Sequence, residues 1–180
     1  KSKEELRQQI ESKDWENLMT KVPVKAGDFF YVPSGTMHAI GAGIMVLETQ
    51  QSSDTTYRVY DFDRKDDQGN LRELHLEKSI DVLSIGEPAN SRPVTTKVDD
   101  LKSTLLVASD FFAVYKWEIS GKADFEKTAD YSLFSVLDGQ GSLLVDDQEY
   151  PIAKGSHFIL PSDVEAWQIE GELELIVSHP

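Results

Sequence analysis

The chain has 180 residues, enough for one sizeable domain or two small ones, each with a real core. Its composition, 39% hydrophobic and 28% charged, is ordinary for a soluble globular protein, and no apolar run nears the ~18 residues that span a bilayer. A formal net charge of -14 argues against nucleic acid or an anionic membrane as partner, and the lack of cysteine excludes disulfides and thiolate metal sites. The polar opening KSKEELRQQIESKDW has no signal-peptide character, so a cytoplasmic location is the simplest expectation.

Residues 2 to 20 read as helix. Ser2 and Glu5 form a capping-box pattern, Leu6 and Ile10 share a face, and either Ser12 or Asp14 restarts the helix with Trp15, Leu18 and Met19 on its buried side. Three short segments then read as strands: Phe29–Val32, Ile44–Leu47 and Tyr57–Phe62. RKDDQGN, from Arg64 to Asn70, is a turn, and Leu74–Leu83 shows helical spacing.

Residues 86 to 102, with Pro88, Pro93 and the charged KVDDLK, read as a linker. Strand patterns follow at Leu105–Ala108, Phe111–Ile119, Tyr131–Leu137, Gly141–Val145, His157–Leu160 and Leu173–Val177. Gly139 and Gly141 fit a turn between two of these, and Asp146-Asp147 fits a hairpin tip. So many short strands imply a sandwich or barrel.

The two halves repeat each other. Gly27-x5-Pro33 matches Gly155-x5-Pro161, and Val32 with Leu160, Gly43 with Gly171 and Leu47 with Leu175 keep the same offset. The second copy carries Asp163 and Ala166 where the first carries Gly35 and His38.

The segment GDFFYVPSGTMH, Gly27 to His38, has the pattern G-x5-P-x-G-x2-H. It resembles the second metal-binding motif of the cupin barrels. A strand ending at Pro33, a turn at Gly35 and a following strand would aim His38 into a dry cavity, where an imidazole is well placed to hold a metal. His75, His157 and His179 have no such setting and read as structural, His75 at the start of the short helix.

The continuation ETQQSSDTTYRVYDFDR, from Glu48 to Arg64, is similar to the active-site region of the type I mannose-6-phosphate isomerases, zinc enzymes that interconvert mannose 6-phosphate and fructose 6-phosphate. The resemblance covers nearly the whole chain, most strongly from 22 to 83 and least beyond 101. It implies a mainly β fold of two cupin-type jelly-roll barrels, the first truncated, with a few short helices. Residues 1–21 would be a helical segment from a preceding domain, 22–100 the C-terminal part of a catalytic barrel, and 101–180 a small second barrel without metal ligands.

The resemblance implies a role for each site residue. His38 would ligate zinc. Arg58 would be the active-site arginine, its planar cationic fork stabilising an enediolate or clamping a hydroxyl or phosphate oxygen. Taken alone, Arg58 reads more readily as a strand-borne surface arginine paired with Asp54 or Asp61, and the resemblance reverses that order. Glu48 and Asp54 match acidic positions of the pocket and would bind sugar hydroxyls or orient Arg58; alternatively both are turn or strand-edge carboxylates.

The implied reaction is aldose–ketose isomerisation, in which a proton moves between C1 and C2 through a cis-enediol while zinc polarises the oxygens. The family takes its other ligands, a glutamine, a histidine and a glutamate, from a segment preceding this one. The first residue is Lys and no first cupin motif appears, so the chain is expected to be the C-terminal part of a longer enzyme. Such a piece should bind zinc poorly, be inactive alone, and invite self-association through the edge of its truncated barrel. The alternatives are a non-catalytic cupin sugar-binding module and another cupin-type sugar-phosphate isomerase or epimerase.

Overall fold

In the computed structural model, residues 2–86 and 91–180 are described. The chain divides into two compact units, one made of Lys1–Val46 with Ser52–Asn90 and the other of Leu47–Gln51 with Ser91–Pro180.

The first unit holds three helices: α1 (Lys3–Glu11), α2 (Trp15–Leu18) and α3 (Leu76–Val82). α1 starts on the expected capping box, with Ser2 Oγ accepting from the Glu5 N–H at 3.2 Å and Glu5 Oε2 accepting from the Ser2 N–H at 2.7 Å. Leu6 and Ile10 are buried on its inner face, as is Ile80 of α3. Arg7 grips the Glu77 carboxylate with both arms of its guanidinium, and Lys3 Nζ donates to the Asp81 carbonyl at 2.9 Å, so α1 is tied to α3 by charge as well as by apolar contact. Asp14 stands at the N-cap of α2 without a side-chain capping bond, and Trp15 of that helix stacks on Tyr60 at 5.1 Å. The turn at Arg64–Asn70 is organised by Asp66, which accepts from the backbone N–H groups of Gln68 (2.9 Å) and Asn70 (2.8 Å). Those bonds, chiefly Asn70's, hold its carboxyl below the usual carboxylate range.

The second unit is a seven-stranded antiparallel sheet. Its strands are β1 (Val94–Val98), β2 (Leu101–Ala108), β3 (Ala113–Glu126), β4 (Ser132–Val145), β5 (Gln148–Ala153), β6 (His157–Leu160) and β7 (Ala166–His179), in the order β1-β2-β3-β7-β4-β5 with β6 also on β4. Alternation explains the core. On β7 the odd positions Trp167, Ile169, Leu173, Leu175 and Val177 are all buried, and Gly171 completes the series. On β4 the buried residues are even, Ser132, Phe134 and Val136, and then odd, Leu143. A register shift between Val136 and Asp138 inserts the residue that changes the parity. Stacked rings fill the interior, Trp117 on Phe125 at 4.3 Å and Phe134 on Phe158 at 4.7 Å, with Trp167 edge-on to Phe134. At the sheet margins, β5 pairs only with β4 and carries Pro151, while β1 pairs only with β2 and is exposed throughout.

Several sequence expectations need correction. No strand forms over Phe29–Val32, Ile44–Leu47 or Tyr57–Phe62. These segments have strand composition, but a strand also needs a ladder of backbone hydrogen bonds to a neighbour, and no such ladder forms with them. Part of the expected linker, 87–90, lies outside the described residues. The rest contains β1 and the start of β2, joined at Asp99-Asp100. Gly139 and Gly141 are not a turn but lie within the continuous β4. A Cβ at either would collide with a β7 carbonyl, that of Glu172 or Glu170, so these glycines allow close backbone approach inside the sheet.

The repeat is present in local geometry. Gly27 and Gly155 have matching φ of 91° and 88°, and the turns after them close identically, Thr36 N–H to the Pro33 carbonyl and Val164 N–H to the Pro161 carbonyl, both at 3.1 Å. Burial is what differs between the copies. Leu160 and Leu175 are 6% and 0% exposed, whereas Val32 and Leu47 are 41% and 46% exposed.

Candidate active site

His38 lies just beyond the Pro33–Thr36 turn. Gly35 has φ +83°, and a Cβ there would meet the Val82 carbonyl oxygen at 2.6 Å and Ser84 Oγ at 2.7 Å, so only glycine fits against the end of α3. The Ser84 N–H donates to the Gly35 carbonyl at 3.0 Å and fastens the turn there. His38 Nδ1 lies 3.0 Å from the Thr36 carbonyl oxygen. A carbonyl only accepts, so Nδ1 carries the proton and Nε2 keeps its lone pair, the tautomer of a histidine ligating through Nε2. The ring is exposed, not enclosed in the expected dry cavity, because the strands that would wall such a cavity do not form among the described residues.

Arg58 is half-buried and held by its backbone. Its N–H donates to His75 Nδ1 at 3.2 Å, and its carbonyl accepts from the His75 N–H at 2.7 Å. The guanidinium has no ion-pair partner among the described residues. No ion pair joins it to Asp61, which is buried, its Oδ1 shared by Arg64 at 3.0 Å and Arg72 at 3.5 Å and its Oδ2 without a hydrogen-bond partner among the described residues. Asp54, in the same unit as Arg58 and His38, is exposed; Glu48 is exposed too and belongs to the second unit. Among the described residues no three His, Asp or Glu side chains converge as a metal ion would require. His157 lies beside Ser135 Oγ at 2.9 Å and His179 stacks on Tyr115 at 5.6 Å, structural settings for both.

Sequence reasoning missed the second role of His75. It does stand at the N-cap of α3, but its side chain makes no capping bond and turns to Arg58 instead. The two are 17 residues apart, and no local pattern links them.

The antiparallel sheet is that of a cupin, and residues 102–180 match the family model for the cupin domain of mannose-6-phosphate isomerase. The chain is 64% identical over 179 residues to the mannose-6-phosphate isomerase of Streptococcus mutans, and 48% identical over 179 residues to the mannose-6-phosphate isomerase ManA of Bacillus subtilis. Both alignments cover 99% of this chain and 57% of the relative. The chain also superposes on the crystal structure of the mannose 6-phosphate isomerase from Bacillus subtilis with a TM-score of 0.92 at 43% identity, again over 99% of this chain and 57% of that one. By sequence and fold the chain is similar to the mannose-6-phosphate isomerases, and it spans a little over half the length of those relatives. The family model matches the stretch where the sequence resemblance was thinnest. Among the described residues no helix is long and apolar enough to cross a membrane.

Proposed function

We propose that the chain contributes to a mannose-6-phosphate isomerase, in which Arg58 stabilises the negative charge that develops as the proton passes between C1 and C2 of the open sugar. The observation that carries this reading is Arg58 itself: a half-buried residue, anchored through its backbone on both sides, its guanidinium without an ion-pair partner among the described residues in a chain of net charge -14. A cation left unpaired in so acidic a protein is available to an anion, and its planar fork suits an enediolate or a phosphate. Asp54 and Glu48 are proposed to receive sugar hydroxyls.

The residues present do not by themselves fit a zinc centre. His38 offers one imidazole nitrogen, and zinc takes three or four protein ligands. Any zinc would therefore draw its other ligands from polypeptide outside these 180 residues, and the isolated chain is proposed to hold zinc weakly and to be inactive. The exposure of Val32 and Leu47, whose counterparts in the second copy are core, supports a first barrel over 22–100 that needs further chain to close, and without it an open edge that favours self-association. The barrel over 101–180 is proposed to be structural, its interior being rings rather than ligands. A cytoplasmic phosphosugar enzyme is the resulting picture.

The test is Arg58→Ala and Arg58→Lys in the intact enzyme. Loss of a charge-stabilising donor is expected to lower kcat by about 10²–10³-fold, with Lys recovering only part because it lacks the fork. An Arg58→Ala enzyme with unchanged kcat would refute the assignment.

A further inference from the structure

We propose that His75 is a positioning residue for Arg58, and that α3 is the spacer fixing Arg58 relative to the turn that carries His38. The inference rests on the role proposed for Arg58.

His75 holds Arg58 from both sides of the peptide, accepting the Arg58 N–H on ring Nδ1 (3.2 Å) and donating its own N–H to the Arg58 carbonyl (2.7 Å). With both backbone groups engaged, the direction in which the Arg58 side chain leaves the main chain is set. The ring is itself confined. It packs against Tyr57 at 6.0 Å, its side chain is only 19% exposed, and Nε2 lies 3.8 Å from Glu73 Oε2. Accepting on Nδ1 requires that nitrogen to be bare, so Nε2 carries the proton, on the side of the Glu73 carboxylate.

The main chain of His75 is fixed by the helix it opens. Its carbonyl accepts both the N–H and the Oγ–H of buried Ser79, each at 2.8 Å. Seven residues of helix, about 10 Å at 1.5 Å per residue, separate that anchor from the other end of α3. There Ser84 binds the Gly35 carbonyl at 3.0 Å, and the same turn supplies the Thr36 carbonyl that orients the His38 ring. One short rigid element therefore grips the peptide of Arg58 at its start and the His38 turn at its finish. A structural cap would need neither the ring bond to Arg58 nor the fit of Gly35 against Val82 and Ser84.

The experiment compares His75→Ala, His75→Asn and His75→Gln in the intact enzyme, with Arg58→Ala alongside. An Asn side chain places an acceptor where Nδ1 sits, whereas Gln places it where Nε2 sits. Ala and Gln are expected to lower kcat by about tenfold, well short of the ~10²-fold that a 1 Å misplacement can cost, while KM changes less than about twofold. Asn should restore kcat to within about threefold, at a melting temperature matching that of the Gln variant. Independently of activity, long-range proton–nitrogen NMR should find His75 with Nδ1 bare and Nε2 protonated.

If Arg58→Ala is inactive while His75→Ala and His75→Gln keep full kcat, or if Asn and Gln are equally impaired, the positioning role is overturned. A protonated Nδ1 overturns it too. If Arg58→Ala is fully active, the proposed role of Arg58 has failed and the positioning role fails with it, and the NMR readout then tells whether the clamp itself was misread.

Discussion

Leu175 and Leu47 occupy equivalent positions of the repeat and should respond to the same substitution to very different degrees. Leu175 is fully buried on β7 between Trp117 of β3 and Val136 of β4, whereas Leu47 is 46% exposed. Leu→Ala removes three carbons, about 2.4 kcal/mol of transfer free energy at ~0.8 kcal/mol each. In a close-packed interior the unfilled space adds to this, for a total of about 3–5 kcal/mol. For a unit of this size each kcal/mol moves the midpoint by roughly 4–8 °C, so Leu175→Ala should lower it by at least ~12 °C. Leu47→Ala leaves no closed cavity and forfeits at most about half of the transfer term, about 1 kcal/mol. Thermal unfolding of the 180-residue chain, followed by fluorescence, reads the sheet unit directly because Trp117 and Trp167 lie within or against its core. Equal shifts for the two variants would refute the reasoning. In the intact enzyme the gap should narrow, because the proposal has additional chain covering the first copy. A gap that persists undiminished would count against that completion.

Gly171→Ala should destabilise the sheet by several kcal/mol. The new Cβ would meet the Gln140 carbonyl oxygen at 2.5 Å and Gly141 Cα at 2.6 Å, while Gly27→Ala, with nothing within 4 Å, should lose only the ~1–3 kcal/mol of its left-handed backbone; denaturant titration compares them. The Arg7 guanidinium holds the Glu77 carboxyl below its ordinary 4.5. A depressed carboxyl contributes stability above its unfolded value and loses it as pH falls through the folded one, so amide protection in α1 and α3 should fall below about pH 4.5. Glu77→Gln should already lack that component at neutral pH, and a protection profile unchanged by the substitution would contradict the link.

How much was legible in the sequence depended on how local each signal was. The capping box at Ser2 and Glu5 and the hairpin tip at Asp146-Asp147, both with positive φ, were readable because neighbours determine them. A similar Asp-Asp pair at 99 and 100 was absorbed into a linker because prolines and charges surrounded it. Gly139 and Gly141 were misread because a glycine that relieves crowding from β7 looks, in one dimension, like a glycine that turns the chain. The strands expected at Phe29, Ile44 and Tyr57 failed for the opposite reason: composition reports what a segment can pair with, not whether a partner is there. Of the candidate site, Gly35 and His38 could be read from spacing, and Arg58 was found through resemblance. The hold of His75 on Arg58 depends on folding alone, since the two meet only once α3 has docked.

The two margins of the sheet face solution on different terms. On β5, Pro151 brings no N–H, so a strand arriving from outside would find its ladder broken halfway along. β1 has no such interruption; Val-Thr-Thr-Lys-Val presents its outer rim with only the Lys97 charge to discourage a visitor. An added strand would thus meet an unbroken ladder at the β1 rim and an interrupted one at the proline of β5.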